Sequence, residues 1–115
     1  MLDILIVDYL TDRITFFIER FGHHHLHIIE NTEDAIAYLN DNLYDCIFLG
    51  GDLGKHGGYT STIAEFLSQN PNNPNCNAEI IIHTWHAVEA DDMIGLLPQA
   101  KYVPFSEAHF STFDF

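Results

Sequence analysis

The sequence predicts an α/β protein built on a doubly wound, open, five-stranded parallel sheet. Short apolar runs of strand length alternate with segments of helical periodicity along the chain. The runs Leu2–Val7 and Glu79–His83 lack polar alternation, which indicates strands covered on both faces. A length of 115 residues fits one domain, so we expect a single domain over residues 1–115.

The first strand, Leu2–Val7, leads into a helix that Asp12 is placed to cap and Gly22 to end. The predicted apolar face of that helix consists of Ile14, Phe17, Ile18 and Phe21. His25–Ile29 is the second predicted strand. Asn31 or Thr32 then caps a second helix. Its predicted apolar face consists of Ala35, Ile36, Leu39 and Leu43.

The second half of the chain continues the same alternation. Cys46–Leu49 predicts the third strand, Thr60–Gln69 the third helix, and Asn70–Asn77 a surface loop rich in asparagine and proline. The remaining predicted elements are the fourth strand Glu79–His83, the fourth helix Glu89–Leu97 and the short fifth strand Lys101–Val103. Few residues follow, so the last helix should be short or missing. Because a helix separates every pair of strands, the strands must be parallel with right-handed crossovers.

The charge of the chain limits its partners. It has 17 acidic and 4 basic residues, a formal net charge of −13. That balance argues against duplex nucleic acid and anionic membranes and favours basic protein surfaces, metal ions or a locally held ligand. No apolar run is long enough to span a membrane. Two cysteines give no disulfide framework, which indicates a reducing, cytoplasmic setting.

Polar and glycine residues follow the first, third and fourth strands where each strand ends. Because the carboxyl ends of parallel strands share one edge of the sheet, these residues should form one ligand site. The residues predicted there are Asp8, Gly50, Gly51, Asp52, Gly54, His83, Thr84 and His86. The glycines allow backbone N–H groups to approach a ligand closely.

Two of these acids suggest a metal site. Asp8 and Asp52, brought together, would suit Mg²⁺ through their oxygens. The alternative is that each acid caps the helix or turn after its strand. If the site is catalytic, Asp52 and His83 are the predicted catalytic residues, with His83 as the acid or base.

A second candidate metal site is the histidine run at residues 23–27. On a strand, His23, His25 and His27 would share one face and suit zinc or another transition metal. The alternative is a solvated strand end.

The segments Ile4–Asp8 and Tyr44–Leu49 resemble the receiver domains of response regulators. This resemblance implies a receiver or flavodoxin-like fold with strand order 2-1-3-4-5. It also implies phosphorylation of an aspartate after strand three, Mg²⁺ on acids after strand one, and a hydroxyl and a lysine after strands four and five. Thr84 matches the hydroxyl. The acceptor, the second acid and the lysine correspond to Gly50, Tyr9 and Val103, so ordinary aspartyl phosphorylation is not expected.

A narrower resemblance is to receiver-like domains that process cyclic phosphates. It rests on Asp8 with Arg13, on Asp52-Leu53-Gly54 with Gly58-Tyr59, and on His83-Thr84 with Met93. It implies that Arg13 joins the ligand site, and it has Asp and His where this chain has Gly50 and Gly51. We therefore expect binding of a phosphate or cyclic phosphate, with catalysis left open.

The alternative function is a pseudo-receiver that interacts with a signalling protein or with itself as a dimer. Its expected surface is the fourth helix, the fifth strand and the aromatic residues near the C-terminus. Those aromatic residues are Phe105, Phe110, Phe113 and Phe115.

Overall fold

Five parallel strands form one sheet in the order β2-β1-β3-β4-β5, as the sequence predicts. The computed structural model describes residues 1–113. The strands are β1 (Asp3–Val7), β2 (His25–Ile29), β3 (Cys46–Leu49), β4 (Glu79–Ile82) and β5 (Lys101–Tyr102). The helices are α1 (Thr11–Phe21), α2 (Thr32–Asp41), α3 (Ser61–Gln69), α4 (Ala87–Leu96) and α5 (Glu107–Phe110). The last helix is short, also as predicted.

Alternate residues of β1 face opposite sides of the sheet, and each side has its own core. Leu5 and Val7 belong to the core under α2, α3 and α4. Ile4 and Ile6 belong to an aromatic core with α1 and α5, which contains Phe16, Phe17, Phe21, Phe48 and Phe110. Both faces are therefore covered, which explains the continuous apolar strands.

Two helical faces differ from the prediction. In α1, Phe16 is buried and Ile18 is half-exposed, and the buried stripe also includes Arg13. The buried face of α1 is therefore rotated about the helix axis relative to the predicted apolar face, and it includes the charged Arg13 as well as phenylalanines. Leu43 is exposed because α2 ends at Asp41, before reaching it.

The caps and boundaries show smaller differences. Asn31, rather than Thr32, caps α2 by accepting the Asp34 N–H at 2.8 Å. Asp12 lies in the first turn of α1 and makes no capping hydrogen bond. Helix α4 begins at Ala87, two residues before the predicted start at Glu89.

The predicted loop Asn70–Asn77 is ordered because Asn75 anchors it. The Asn75 side chain is fully buried, accepts the Tyr44 N–H and donates to the carbonyls of Leu39 and Asn42. A 3₁₀ turn at Pro74–Asn77 positions this side chain.

The aromatic residues near the C-terminus mostly pack inside the molecule. Phe110 is fully buried, and Phe113 stacks on it with ring centroids 4.9 Å apart. Phe115, which the sequence offered as part of a docking surface, lies outside the described residues. Across residues 1–113, no helix has the length and apolar character needed to cross a membrane.

Candidate functional site at the carboxyl edge of the sheet

The register of the sheet brings the ends of three strands together. Val7 pairs with Leu49, and Leu49 pairs with Ile82. The next residues continue the ladder, because Gly50 N–H donates to the Val7 carbonyl and His83 N–H to the Leu49 carbonyl, both at 2.9 Å. Asp8, Gly50 and His83 therefore begin their loops side by side, as the sequence predicts.

Asp8 is buried, with 1% of its surface exposed, and both of its carboxylate oxygens are hydrogen-bonded. Oδ1 accepts the N–H groups of Tyr9 and Leu10 at 2.7 and 3.1 Å. Oδ2 lies 2.7 Å from His83 Nε2 and accepts from Arg13 Nη1 at 3.4 Å. Burial alone would raise the pKa of Asp8, but His83, the Leu10 N–H and the Arg13 charge together lower it below its usual value. Asp8 is therefore an ionised anchor.

His83 is completely buried in the aromatic core. Its ring meets Phe17 edge-on with centroids 5.3 Å apart, and it also contacts Phe48, Phe105 and Phe110. Burial lowers the pKa of the imidazole below its usual value, although Asp8 opposes this. We therefore assign the neutral ring, with Nε2–H donating to Asp8. Nδ1 is then an acceptor, and it has no hydrogen-bond partner within residues 1–113.

Arg13 is the cation of this cluster and is only 5% exposed. Its guanidinium carbon lies 4.3 Å from the centroid of the Trp85 ring and 5.4 Å from that of Phe105. The Trp85 indole N–H donates to the Phe105 carbonyl at 2.9 Å, which fixes the ring over the guanidinium. Arg13 Nε is buried and has no hydrogen-bond partner in the described part of the chain. The arginine therefore keeps donor capacity after pairing with Asp8.

Acidification should destabilise the protein in two separate steps. The unfolded chain protonates His83 near its ordinary pKa of about 6.5, whereas the folded chain resists protonation, so stability falls as the pH drops below about 6.5. The lowered pKa of Asp8 contributes stability that is present above the unfolded pKa of about 3.9 and is lost as the pH falls through the folded pKa. Urea denaturation between pH 8 and pH 3 measures both steps.

A matched pair of variants assigns the upper step. His83→Gln keeps an N–H near the Nε2 position but does not titrate, so it should flatten the upper step and keep the lower one. His86→Gln, at an exposed neighbouring histidine, should retain both steps. An upper step that persists in His83→Gln would show that another group causes it.

Gly50 leaves no room for a side chain. A Cβ atom there would lie 2.9 Å from Asp8 Cγ, from Asp8 Oδ2 and from the Val7 carbonyl oxygen. At Gly51 the φ angle of +98° favours glycine, and a Cβ would lie 2.6 Å from Thr84 Oγ1. The two glycines therefore allow Asp8 and Thr84 to approach the backbone closely.

A small cavity of about 140 Å³ opens at this edge. Its lining includes five predicted site residues: Arg13, Gly50, Asp52, Thr84 and His86. Thr84 is buried, and its hydroxyl oxygen accepts the His86 N–H at 3.2 Å. Tyr9, Leu10 and Trp85 complete the wall. The cavity has the size of a phosphate group rather than of a whole nucleotide.

Asp52 and Gly54 form a turn beside the cavity. Asp52 is exposed, its Oδ1 accepts the Gly54 N–H at 2.8 Å, and it forms an isolated bridge with Tyr59. Gly54 has a φ angle of +85° and packs against the Tyr9 ring. The carboxylate that hydrogen-bonds His83 is that of Asp8. The predicted catalytic pair, Asp52 and His83, therefore consists of an exposed turn residue and a buried core residue.

Asp8, one of the two residues predicted to bind Mg²⁺, has no free lone pair for that ion. A carboxylate offers about four lone-pair positions, and all four on Asp8 already accept or face hydrogen-bond donors. A hard cation would have to displace Arg13 or His83. Within residues 1–113, no three His, Cys, Asp or Glu side chains are grouped so that they could hold a metal ion.

The histidine run makes separate structural contacts. His24 Nδ1 accepts the Leu2 N–H, His25 lies 3.2 Å from Asp3 Oδ1, and His27 lies 2.6 Å from the Tyr44 hydroxyl. These contacts favour the alternative interpretation, a partly solvated strand.

Sequence reasoning missed two residues at this edge. Trp85 covers Arg13. Glu89 on α4 lies close to Gly51, because a Cβ atom added at Gly51 would be 3.2 Å from Glu89 Oε2. Burial and the charges of Asp52 and Asp92 raise the pKa of Glu89, against the opposing effect of His86. The only available signal was the position of both residues shortly after β4.

Strand order and strand-end register are those of the receiver fold. Residues 5–99 match the cyclic-phosphate processing receiver domain family, and the chain belongs to that family. None of the curated proteins compared with the chain matches it.

Solved structures of response regulators are similar to this fold. The phosphorylated cyanobacterial phytochrome response regulator RcpA has a TM-score of 0.78 and 15% identity over 96% of this chain and 86% of that chain. TrrA from Thermotoga maritima, in complex with Mg²⁺ and BeF, has a TM-score of 0.72 and 21% identity over 92% and 88%. The Mn²⁺-bound form of Rcp1 has a TM-score of 0.73 and 20% identity over 92% and 82%. At these identities the similarity concerns the fold.

Proposed function

We propose that this receiver domain does not accept a phosphoryl group and instead binds a phosphate or cyclic-phosphate ligand in the edge cavity. The observation that carries the proposal is Arg13, a buried cation that lines a cavity of about 140 Å³ and whose Nε–H has no hydrogen-bond partner among the described residues. Thr84 adds a hydroxyl donor to the cavity wall. The N–H groups of Gly50 and Gly51 are already bonded to the Val7 carbonyl and to Thr60 Oγ1, so they are not available as donors. Family membership supports the same ligand class.

Two features support the absence of aspartyl phosphorylation. Gly50 occupies the position that aligns with the acceptor aspartate, and the space above it is filled by the Asp8 carboxylate. No lysine follows β5, where the chain has Val103. The cation at this edge is Arg13, which comes from α1.

Binding without turnover is the form of the proposal that the geometry favours. A general acid or base must come within hydrogen-bonding reach of the group it serves. His83 is buried among phenylalanines and directs Nε2 to Asp8, and Asp52 uses Oδ1 in its own turn. Because Asp8 is saturated with hydrogen bonds, we also expect binding to be independent of Mg²⁺.

We expect a 2′,3′-cyclic nucleotide or inorganic phosphate to stabilise the protein equally with and without Mg²⁺. Ligand at about 100 times its Kd should add about 2.7 kcal/mol to the free energy of unfolding. Thr84→Val, which removes a donor to a charged ligand, should weaken binding about tenfold in calorimetry. Chromatography of the incubated nucleotide should show no hydrolysis product.

Thr62→Val is the matched control, because Thr62 is an exposed threonine on α3. It should leave the affinity unchanged. Failure of every phosphate ligand to stabilise the protein would refute the proposal, and a hydrolysed product would refute the absence of turnover.

The second candidate function is a protein-interaction module. It is favoured by three exposed apolar side chains: Val88 in the first turn of α4, and Tyr59 and Trp85, which lie in the loops before α3 and α4. Tyr59 and Val88 line a shared surface depression of about 450 Å³. This function would remain if no phosphate ligand bound.

A further inference from the structure

A groove with an apolar floor lies next to the edge cavity and shares Leu10, Arg13 and Trp85 with it. It encloses about 710 Å³ between α1 and the segment that follows β5, and we call it the Trp85 groove. Its apolar lining consists of Leu10, Phe16, Trp85 and Phe105. Trp85 is 62% exposed, yet its indole N–H is bound to the Phe105 carbonyl and its ring lies on Arg13. A fixed, exposed tryptophan is the kind of anchor that dominates protein interfaces.

The rim of the Trp85 groove is acidic. Asp12 and Glu19 project from α1, and Glu107 lies on the opposite side at the start of α5. All three are exposed. Among the described residues, Arg13 is the only base in the lining, and its charge is paired with Asp8. The groove therefore combines an apolar floor with uncompensated negative charge.

We propose that the Trp85 groove docks a basic amphipathic segment of a partner protein. The apolar side chains of the segment would pack on Trp85 and Phe105, and its lysines or arginines would face Glu19 and Glu107. Docking in the groove does not require a ligand in the edge cavity, although the two share part of their walls.

A second copy of this chain fits the groove poorly. The chain has 4 lysines and arginines against 17 acids. Arg13 is buried, Arg20 donates to the carbonyls of Ser111 and Phe113, and Lys101 lies 3.2 Å from Glu79. The fourth base, Lys55, is exposed in the loop after β3, so a second copy offers the groove one such lysine and not a basic segment. Two copies would mainly place acid against acid, which favours a foreign basic partner.

The chain contains one tryptophan, so its fluorescence reports directly on the groove. A synthetic helical peptide of leucine and lysine is titrated into the full chain, with a leucine–glutamate peptide of the same pattern as comparison. We expect a saturable blue shift of Trp85 emission with the lysine peptide and none with the glutamate peptide.

Two double variants separate groove binding from general attraction by a chain of charge −13. Glu19→Lys with Glu107→Lys should weaken binding of the lysine peptide about tenfold. Glu33→Lys with Glu65→Lys makes the same charge change on exposed positions of α2 and α3 and should change the affinity far less. Circular dichroism checks that both variants fold.

Three results would overturn the proposal. Equal weakening by both double variants would mean that binding follows net charge alone. An absent or non-saturating shift with the lysine peptide would mean that the groove does not accept such a segment. Self-association that shifts Trp85 emission and is abolished by the groove variant would assign the groove to a second copy.

Discussion

Replacing Asp8 with alanine should lower the free energy of unfolding by about 3–5 kcal/mol. The variant leaves the buried Arg13 charge without its counter-ion, leaves His83 Nε2–H without an acceptor, and removes the acceptor of the Tyr9 and Leu10 N–H groups. A domain of this size has a total stability of about 5–15 kcal/mol, so the variant should lose a large share of it. Urea denaturation at pH 7, followed by circular dichroism, measures the change.

Asp3→Ala is the matched control, because Asp3 Oδ1 makes an exposed contact with His25 Nδ1 at 3.2 Å. Exposed pairs of this kind contribute little, so we expect a change within about 0.5 kcal/mol. Asp8→Ala combined with Arg13→Met should lose less than the sum of the two single variants, since the unpaired charge is then removed. Similar small losses at Asp8 and Asp3 would contradict the buried cluster.

The sequence predicts which residues meet at this edge, because the geometry of a parallel sheet determines that. Once Leu2–Val7, Cys46–Leu49 and Glu79–His83 are recognised as parallel strands, Asp8 and His83 must begin loops at the same edge. Burial on both faces also follows from the lack of polar alternation. Strand pairing is periodic, so local sequence patterns carry this information.

The chemical state of the site residues depends on side-chain packing that sequence patterns do not encode. His83 is enclosed by phenylalanines from α1, β3 and the segment after β5, and its burial decides its protonation. Asp52 and Asp8 were both predicted as metal ligands, yet only Asp8 is buried. Arg13 stacks on Trp85, and Gly50 packs against Asp8. Each contact joins residues far apart in sequence, so local sequence patterns do not predict it.

Restoring an aspartate at Gly50 should destabilise the protein without creating a phosphoryl acceptor. Gly50→Ala alone should cost about 1–3 kcal/mol by overpacking, because its Cβ would lie 2.9 Å from Asp8 Cγ and from the Val7 carbonyl oxygen. The Val7 carbonyl is fixed by its hydrogen bond from the Gly50 N–H. The Asp8 side chain would therefore have to move to make room for the new Cβ atom. Gly50→Asp should cost more, since it adds a second buried carboxyl beside Asp8. Denaturation and labelling with acetyl phosphate measure the two effects.

Gly95→Ala supplies the control, because a Cβ at Gly95 on α4 meets nothing within 4 Å. There alanine should stabilise the helix by about 0.5–1 kcal/mol. Opposite signs at the two glycines would show that crowding by Asp8, not glycine chemistry in general, determines the effect at Gly50. If Gly50→Asp is as stable as the original protein and takes up the label, the Asp8 side chain can move away and leave room for an acceptor aspartate. The loss of the acceptor would then be reversed by this one substitution. If it is unstable and unlabelled, the Asp8–Arg13–His83 cluster has taken over the space that an acceptor needs.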